Sequence, residues 1–594
     1  MRARRAAGRP GSGRSFKLGT ASRRLRVGFL IVAFVMSVFA GRLLQLQGVE
    51  AASFAHAAVK ERLQEVTLRA TRGDLSDVNG VPLATTVDTV AVTADPKMTR
   101  PGAVQIAETL APILKVPAEE LLPKLRKADS RFVYLARNVP ADRWNRARKA
   151  LDAGDLIGVF NQPDPLRSYP SGPVAANLVG FVGGEGRGLA GLEYALDDKL
   201  RGKDGLMVYE GGSGGQQIPL APSVQQDPVP GANVSLTIDR DVQWVAQKAI
   251  AGQVKATGAR SGDAVVLDVK TGQIVAMATA PTYDPNHPTS SPADDRVNRP
   301  LQEVYEPGSV AKVLTTAALI DAGYVTPETK ISVPGALLRN GHQIHDYWGH
   351  GTIPLTMTGA LAKSSNLGTI LAAERMPKAE HASYLRRFGL GQPTGIGLAG
   401  EAKGSLAKPE SWSDLQRATV AFGQGMSVNA VQMASAIGTV ANGGVRVEPN
   451  LVRGRVDEEG QLRRPAPAPK RSRVISEATA SSVAAMMEQV VDGEEALATK
   501  AQIPGYRVAG KTGTSQRVDA ACGCYRGYTA SFAGFAPADQ PRYVVYVVVQ
   551  DPKRGGNSGS GLAAPVFRDI MAFTLQKYGV PPTGTTTPAM PLTW

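Results

Sequence analysis

The stretch Tyr305-Glu306-Pro307-Gly308-Ser309-Val310-Ala311-Lys312 sets a serine and a lysine three residues apart, behind a Pro-Gly turn and ahead of the apolar run Val313-Leu314-Thr315-Thr316-Ala317-Ala318-Leu319-Ile320. The run reads as a helix. With Ser309 in its first turn, Lys312 lies one turn on and on the same face, within reach of the hydroxyl. A desolvated, neutral lysine can take the serine's proton, which gives a nucleophile for covalent acyl transfer without histidine. Alone the pattern is weak, because Ser405-Leu406-Ala407-Lys408 repeats it elsewhere in the chain.

The 594 residues, 43% of them hydrophobic, are enough for two or more domains and a large core. The formal charge of +15 looks like a nucleic-acid signal until it is located. Residues 1–26 carry nine basic side chains (Arg2, Arg4, Arg5, Arg9, Arg14, Lys17, Arg23, Arg24 and Arg26) and no acid, which leaves +6 for the other 568 residues. This basic tail leads straight into the apolar segment Val27–Ala40, and counting on through Arg42 to Leu46 reaches the roughly 20 residues of a spanning helix. The expected reading is a single-pass anchor in the cytoplasmic membrane, basic end inside and everything after residue 46 exported. A cleaved signal peptide ending near Val38-Phe39-Ala40 is the alternative, and a DNA-binding arm is disfavoured. The two cysteines, in Cys522-Gly523-Cys524, exclude a disulfide framework as the source of stability. They leave both a local bridge and free thiols open.

Along the chain, residues 47 to about 60 look helical. Val66 to Leu75 alternates like a strand and turns back through Asp77-Val78-Asn79-Gly80 into Val81–Ala84. Amphipathic helices are predicted at Gln105–Leu114 and Ala141–Ala153, and residues 211–232, rich in Gly, Gln and Pro, read as a linker. A helix at Val242–Val254 then precedes a strong hairpin, Ala264–Val269 with Gln273–Ala278, across Lys270-Thr271-Gly272. Near the other end, Arg542–Val549 is a buried or half-buried strand and Ala564–Tyr578 a closing helix. Strands at both ends of about 350 residues imply an α/β or α+β domain whose sheet joins its termini. Gly460–Arg473 reads as an exposed loop, and Pro581–Trp594 as a disordered tail.

Downstream of Ser309 and Lys312 come Ser364-Ser365-Asn366 and then Lys511-Thr512-Gly513-Thr514. A serine nucleophile with a second Ser-x-Asn and a Lys-Thr-Gly strand is the set of penicillin-binding proteins and serine β-lactamases. Over its whole exported length the chain resembles a class B penicillin-binding protein of the cell-division type. Arg72-Gly73-Asp74 through Gly80 resembles the family's first pedestal motif, with Val78 where an arginine is usual. Arg167-x-Tyr169-Pro170 and Gly188-x-x-Gly191-x-Glu193 resemble later pedestal motifs, and Gly423-Gln424-Gly425 a landmark of the catalytic domain. Decoys are set aside by context. Lys270-Thr271-Gly272 sits in a hairpin turn upstream of the nucleophile. Gly404 and Pro409 deny Ser405 and Lys408 a shared helix face, so Ser427-Val428-Asn429 has no partner pair.

The resemblance implies a multidomain α/β (α+β) protein: basic cytoplasmic tail 1–26, transmembrane anchor 27–46, pedestal 47–230, transpeptidase domain 231–579 with a central antiparallel sheet flanked by helices, and flexible tail 580–594. It implies a D,D-transpeptidase acting on peptidoglycan stem peptides and lipid-linked precursor strands, inhibited by β-lactams, with a membrane glycosyltransferase and division proteins as partners. No cofactor, metal or nucleic acid is called for. Ser309 is the expected nucleophile, Lys312 its base, Ser364 a proton relay, Asn366 an orienter of the substrate amide, and Lys511 a charge that lowers the pKa of Lys312 and attracts the terminal carboxylate. Thr512, Gly513 and Thr514 are expected to bind substrate, with the N–H groups of Ser309 and Thr514 as oxyanion hole. His342, His345 and His350 around Asp346 make a metal site the lesser alternative. The competing functions are side-wall elongation, hydrolysis by a β-lactamase or carboxypeptidase, and a catalytically silent β-lactam-binding scaffold.

Overall fold

A computed structural model describes residues 21–50, 53, 63–210, 223–457, 459–519 and 522–594. Most of the helix read over residues 47–60 lies outside these, as do residues 1–20 of the basic tail and 211–222 of the linker. The described chain divides into two compact units. One takes residues up to Arg69 together with Asp204–Pro228, and the other takes Ala70–Lys203 with Val229–Trp594.

In the first unit the helix Ala21–Leu44, continued by one wider turn at Gln45–Val49, has no buried residue. At 1.5 Å per residue its first 24 residues span about 36 Å, and it is long and apolar enough to cross a membrane. The same unit contains a three-stranded antiparallel sheet of Leu63–Leu68, Gly205–Glu210 and Val224–Gln226. The strand expected from Val66 to Leu75 is therefore broken. Its first half pairs with Gly205–Glu210, and only Leu75–Ser76 makes the hairpin with Pro82–Val87.

The second unit is built on the hairpin that the alternation of Ala264–Ala278 predicted. Helix α1 (Arg240–Thr257), capped by Asp239, leads into β1 (Ser261–Asp268) and β2 (Ile274–Ala280). After the helices α2 (Ala311–Asp321), α3 (Met357–Ala362), α4 (Asn366–Ala373), α5 (Ala430–Ala441) and α6 (Glu477–Asp492) come β3 (Ala509–Asp519), β4 (Cys524–Ala536), β5 (Tyr543–Gln550) and α7 (Ala564–Lys577). The sheet runs β2-β1-β5-β4-β3, antiparallel throughout, so its first hairpin and last strand meet as expected. Strand β5 is apolar without alternation because both its faces are covered. Val545, Val547 and Val549 pack with Val242, Ile250 and Phe567 of α1 and α7, whereas Val544, Tyr546 and Val548 join the core of α2 and α5.

The pedestal part of this unit holds two sheets. One, of Thr89–Ala94, Val133–Pro140 and Val159–Pro163, packs on the helices Ala103–Leu114, Ala118–Leu125 and Ala141–Ala153. The other interleaves Leu75–Ser76, Pro82–Val87 and Leu166–Ser168 with Asn233–Leu236, Val452–Val456 and Leu462–Pro465. All three pedestal motifs converge on Glu193, which is fully buried. It accepts from Arg72 Nε at 2.6 Å and Arg167 Nε at 2.7 Å, and Tyr169 Oη accepts from Val182 N nearby at 3.0 Å. At Val78, where an arginine is usual, Arg453 reaches in from a different strand and donates to the Val78 carbonyl at 2.8 Å.

Two loop expectations are corrected. Within 460–473, Leu462–Pro465 and Arg471–Arg473 are short strands, since pairing with Val452–Val456 and Val445–Val447 satisfies their backbone. The tail after residue 580 is ordered against the catalytic part. Thr356 donates through its N–H to Leu592 O at 3.0 Å and through Oγ1 to Pro591 O at 2.6 Å, Gln489 Nε2 donates to Pro588 O at 2.8 Å, and Lys330 lies over the Trp594 ring.

Candidate active site

Ser309 stands in a 3₁₀ turn, Gly308–Val310, and α2 starts at Ala311, so the serine precedes the helix instead of lying in its first turn. Gly423 lets the Gly423-Gln424-Gly425 loop lie against this turn: Gly308 N donates to Gly423 O at 3.0 Å, and a Cβ on Gly423 would fall on the Gly308 carbonyl. Gly513 does the same from the other side, where a Cβ would stand 2.9 Å from Val310 Cγ2 and 3.1 Å from Pro307 O. Glu306, quoted in the motif but given no role there, ties the parts together. It accepts from Gly425 N at 2.8 Å and Tyr525 Oη at 3.2 Å, and its carbonyl accepts from Ser515 Oγ at 2.7 Å. Burial pushes the Glu306 carboxyl above its usual range.

Ser364 follows α3 with φ +57°, a left-handed backbone that a serine adopts only when its surroundings compel it. Both lysines converge on it. Lys312 Nζ donates to the Ser364 carbonyl at 2.5 Å and to its Oγ at 3.3 Å, and Lys511 Nζ donates to the same Oγ at 2.9 Å. The direct contact of Lys312 with Ser309 expected from spacing is not made. Among the described residues the Ser309 hydroxyl has no hydrogen-bond partner, and the lysine amine is satisfied by Ser364 instead. Both lysines are fully buried. Burial drives Lys312 well below the lysine range, the Lys511 charge adds to this, and Asp346 opposes it. Burial lowers Lys511 to about 7.

Asn366 Nδ2 donates to His345 O at 3.0 Å. Thr512 and Thr514 lie on β3, an edge strand paired only with β4 in the sheet, and Thr514 Oγ1 accepts from Gly559 N at 3.3 Å. At the far end of the β3–β4 hairpin, Cys522 and Cys524 form a disulfide, the alternative that the sequence left open. The decoys are spent on structure. Lys270-Thr271-Gly272 is a hairpin turn. Ser405 does meet Ser427, but backbone to backbone, and Asn429 caps α5. Among the described residues no three His, Cys, Asp or Glu side chains converge to hold a metal. Of the histidine cluster, His345 Nδ1 lies near Gly335 O and only His350 meets Asp346.

A nucleophile turn and two buried lysines sharing one serine, beside the edge of a five-stranded antiparallel sheet, define a serine acyltransferase of the transpeptidase type. The model of the penicillin-binding protein transpeptidase domain matches residues 262–572, and that of the penicillin-binding protein dimerisation domain matches residues 67–236. The chain belongs to the class B penicillin-binding proteins. It is 37% identical over 595 residues to penicillin-binding protein PbpB of Mycolicibacterium smegmatis, covering 94% of this chain and 91% of that one. To peptidoglycan D,D-transpeptidase FtsI of Escherichia coli K12 it is 34% identical over 533 residues, 89% and 86% of the two chains. The crystal structure of penicillin-binding protein 3 from Mycobacterium tuberculosis complexed with ampicillin superimposes with a TM-score of 0.70 at 32% identity, covering 89% of this chain and all of that one.

Proposed function

We propose that the protein is a membrane-anchored D,D-transpeptidase that cross-links peptidoglycan stem peptides through an acyl-enzyme on Ser309. The observation that carries this reading is the convergence of Lys312 and Lys511 on Ser364 beside the nucleophile turn. A terminal D-Ala-D-Ala lies along the edge of β3, its carboxylate drawn by Lys511 and held by the hydroxyls of Thr512 and Thr514. Lys312, whose neutral form is favoured by burial, takes the proton as Ser309 Oγ attacks the carbonyl between the two alanines. The oxyanion is met by the N–H groups of Ser309 and Thr514. The C–N bond then breaks, and the proton passes through Ser364 to the departing D-alanine amine. An amine from a neighbouring stem peptide attacks the ester, gives its proton back along the same route and leaves a new amide with Ser309 restored. A β-lactam enters the same step, but its leaving nitrogen stays tethered to the acyl group and the ester persists.

The basic tail supports an orientation with the N-terminus in the cytoplasm and the catalytic domain outside. The cell-division resemblance supports a role at the septum, beside a glycosyltransferase that polymerises lipid-linked precursors. Purified full-length protein in detergent, given a pentapeptide donor and an amine acceptor, should release D-alanine and form the cross-link, and Ser309→Ala should do neither. A product without prior loss of D-alanine, or an active S309A, would refute the reading. Depletion separates the cellular roles: filaments support the septal assignment, and rounded cells overturn it in favour of the side wall.

A further inference from the structure

Two residues that this mechanism leaves unused surround the Ser364–Asn366 turn, and we propose that Asp346 and His350 act as a positioning pair for it, setting how fast Ser309 is acylated. The inference rests on the reading of Ser309 as nucleophile and Ser364 as relay. Ser364 Oγ must stay between two lysine amines while its own backbone holds a left-handed conformation. Asp346 supplies what holds it. Its carboxylate is fully buried and accepts from Ser365 Oγ at 2.7 Å, from Asn366 N at 2.5 Å and from Leu367 N at 3.1 Å. Those two amides open α4, where a helix leaves its first N–H groups without internal partners and favours a negative charge. The residue after Ser364 and the two after that are thus bound to one side chain.

His350 fixes that side chain in turn. Its ring is only 7% exposed, with Nε2 3.0 Å from Asp346 Oδ2 and Nδ1 2.6 Å from the Gly351 carbonyl oxygen. The Trp348 ring lies 5.2 Å away and packs in turn on Tyr347. The carboxylate is therefore oriented from one side by the helix start and from the other by the imidazole, much as an outer partner orients a ligating or catalytic group. Without Asp346, two amides and the Ser365 hydroxyl would be left buried without their acceptor, and Ser364 would be free to leave its left-handed conformation. The histidine cluster that suggested a metal in the sequence serves here as a support.

The test compares full-length wild type with Asp346→Asn, His350→Ala, His350→Gln and the D346N/H350A double variant, measuring the rate of acylation by a fluorescent penicillin and the unfolding temperature. Misplacing a relay by about an ångström costs on the order of 100-fold, so D346N should slow acylation about that much and H350A roughly 10-fold. His350→Gln, whose amide N–H replaces Nε2–H, should restore nearly the wild-type rate. Because His350 acts through Asp346, the double variant should be no slower than D346N alone. A folded H350A at the wild-type rate, or single effects that multiply in the double variant, would overturn the pairing. If D346N does not fold, H350A against H350Q decides: a slow alanine and a restored glutamine support the pair, and equal rates overturn it. Wild type labelled at Ser309 with H350A unslowed refutes this inference alone, whereas wild type without label at Ser309 refutes the nucleophile assignment and the pair with it.

Discussion

Lys312 and Lys511 share Ser364, and under the proposed mechanism their opposite requirements set the pH range of the enzyme. Lys312 works as a base only when neutral, so kcat/KM for acylation should fall as pH drops through its lowered pKa. Lys511 works only when charged, so kcat/KM should fall again as pH rises through about 7. Lys511→Arg keeps its charge at any accessible pH and should abolish the alkaline limb. A limb near pH 7 that survives in K511R would assign it to another group. Far from this chemistry, Glu193 bridges Arg72 and Arg167 in the pedestal, with Asp197 as a second partner of Arg72. Glu193→Ala leaves Arg72 with only the Asp197 carboxylate and Arg167 with only Asp74 at 3.8 Å and should cost roughly 3 kcal/mol in denaturant unfolding, and a loss below about 1 kcal/mol would show that the buried cluster is not confined as described. At this scale the sequence was most legible: order and spacing picked out Ser309, Lys312, Ser364, Asn366 and Lys511, and the fold brings the two lysines and Ser364 together. It was less legible where a role depends on three-dimensional company. Lys312 turns to a carbonyl 52 residues away instead of to nearby Ser309, and Asp346 read as part of a polar loop, with a metal ligand the lesser alternative, because the helix start that it binds was not visible.

Elements with a strong period were read correctly, and those held by tertiary contacts were not. The β1–β2 hairpin shows in the alternation around Lys270-Thr271-Gly272, and β5 in an unbroken apolar run. Leu75–Ser76 is two residues long and carries no period, so its pairing could not be separated from that of Leu63–Leu68. The Pro- and Thr-rich composition of residues 581–594 argued for disorder, yet the carbonyls of the segment find donors on Thr356 and Gln489, and Met590 packs against the core. Thr356 caps α3, the helix that ends at Ala362, two residues before Ser364. Deleting residues 583–594 removes three neutral hydrogen bonds worth about 0.5–1.5 kcal/mol each, together with the bonds of Thr585 to Arg507 and Asp539 and of Thr587 to Asp492, and calorimetry should record a lower unfolding temperature for the truncated protein. An unchanged midpoint would mean that the strap adds nothing to the domain.

For the whole molecule, composition and charge pointed to an exported enzyme on a single apolar helix, and the helix Ala21–Leu44 has the required length. A sheet joining the two ends of the catalytic region was also legible, since the hairpin at one end and the apolar run at the other each carry a strand pattern of their own and one domain buries them together. The interleaving of pedestal strands with Asn233–Leu236 and Val452–Val456 was not, because long-range strand partners leave no mark in the local pattern. The proposed mechanism turns on one bond, the ester on Ser309. Full-length protein should therefore be incubated with a fluorescent penicillin, digested and mapped by mass spectrometry. One modified peptide, acylated at Ser309 and absent from S309A, is the predicted result. Label on Ser405, on any other residue, or on none in a folded protein would contradict it.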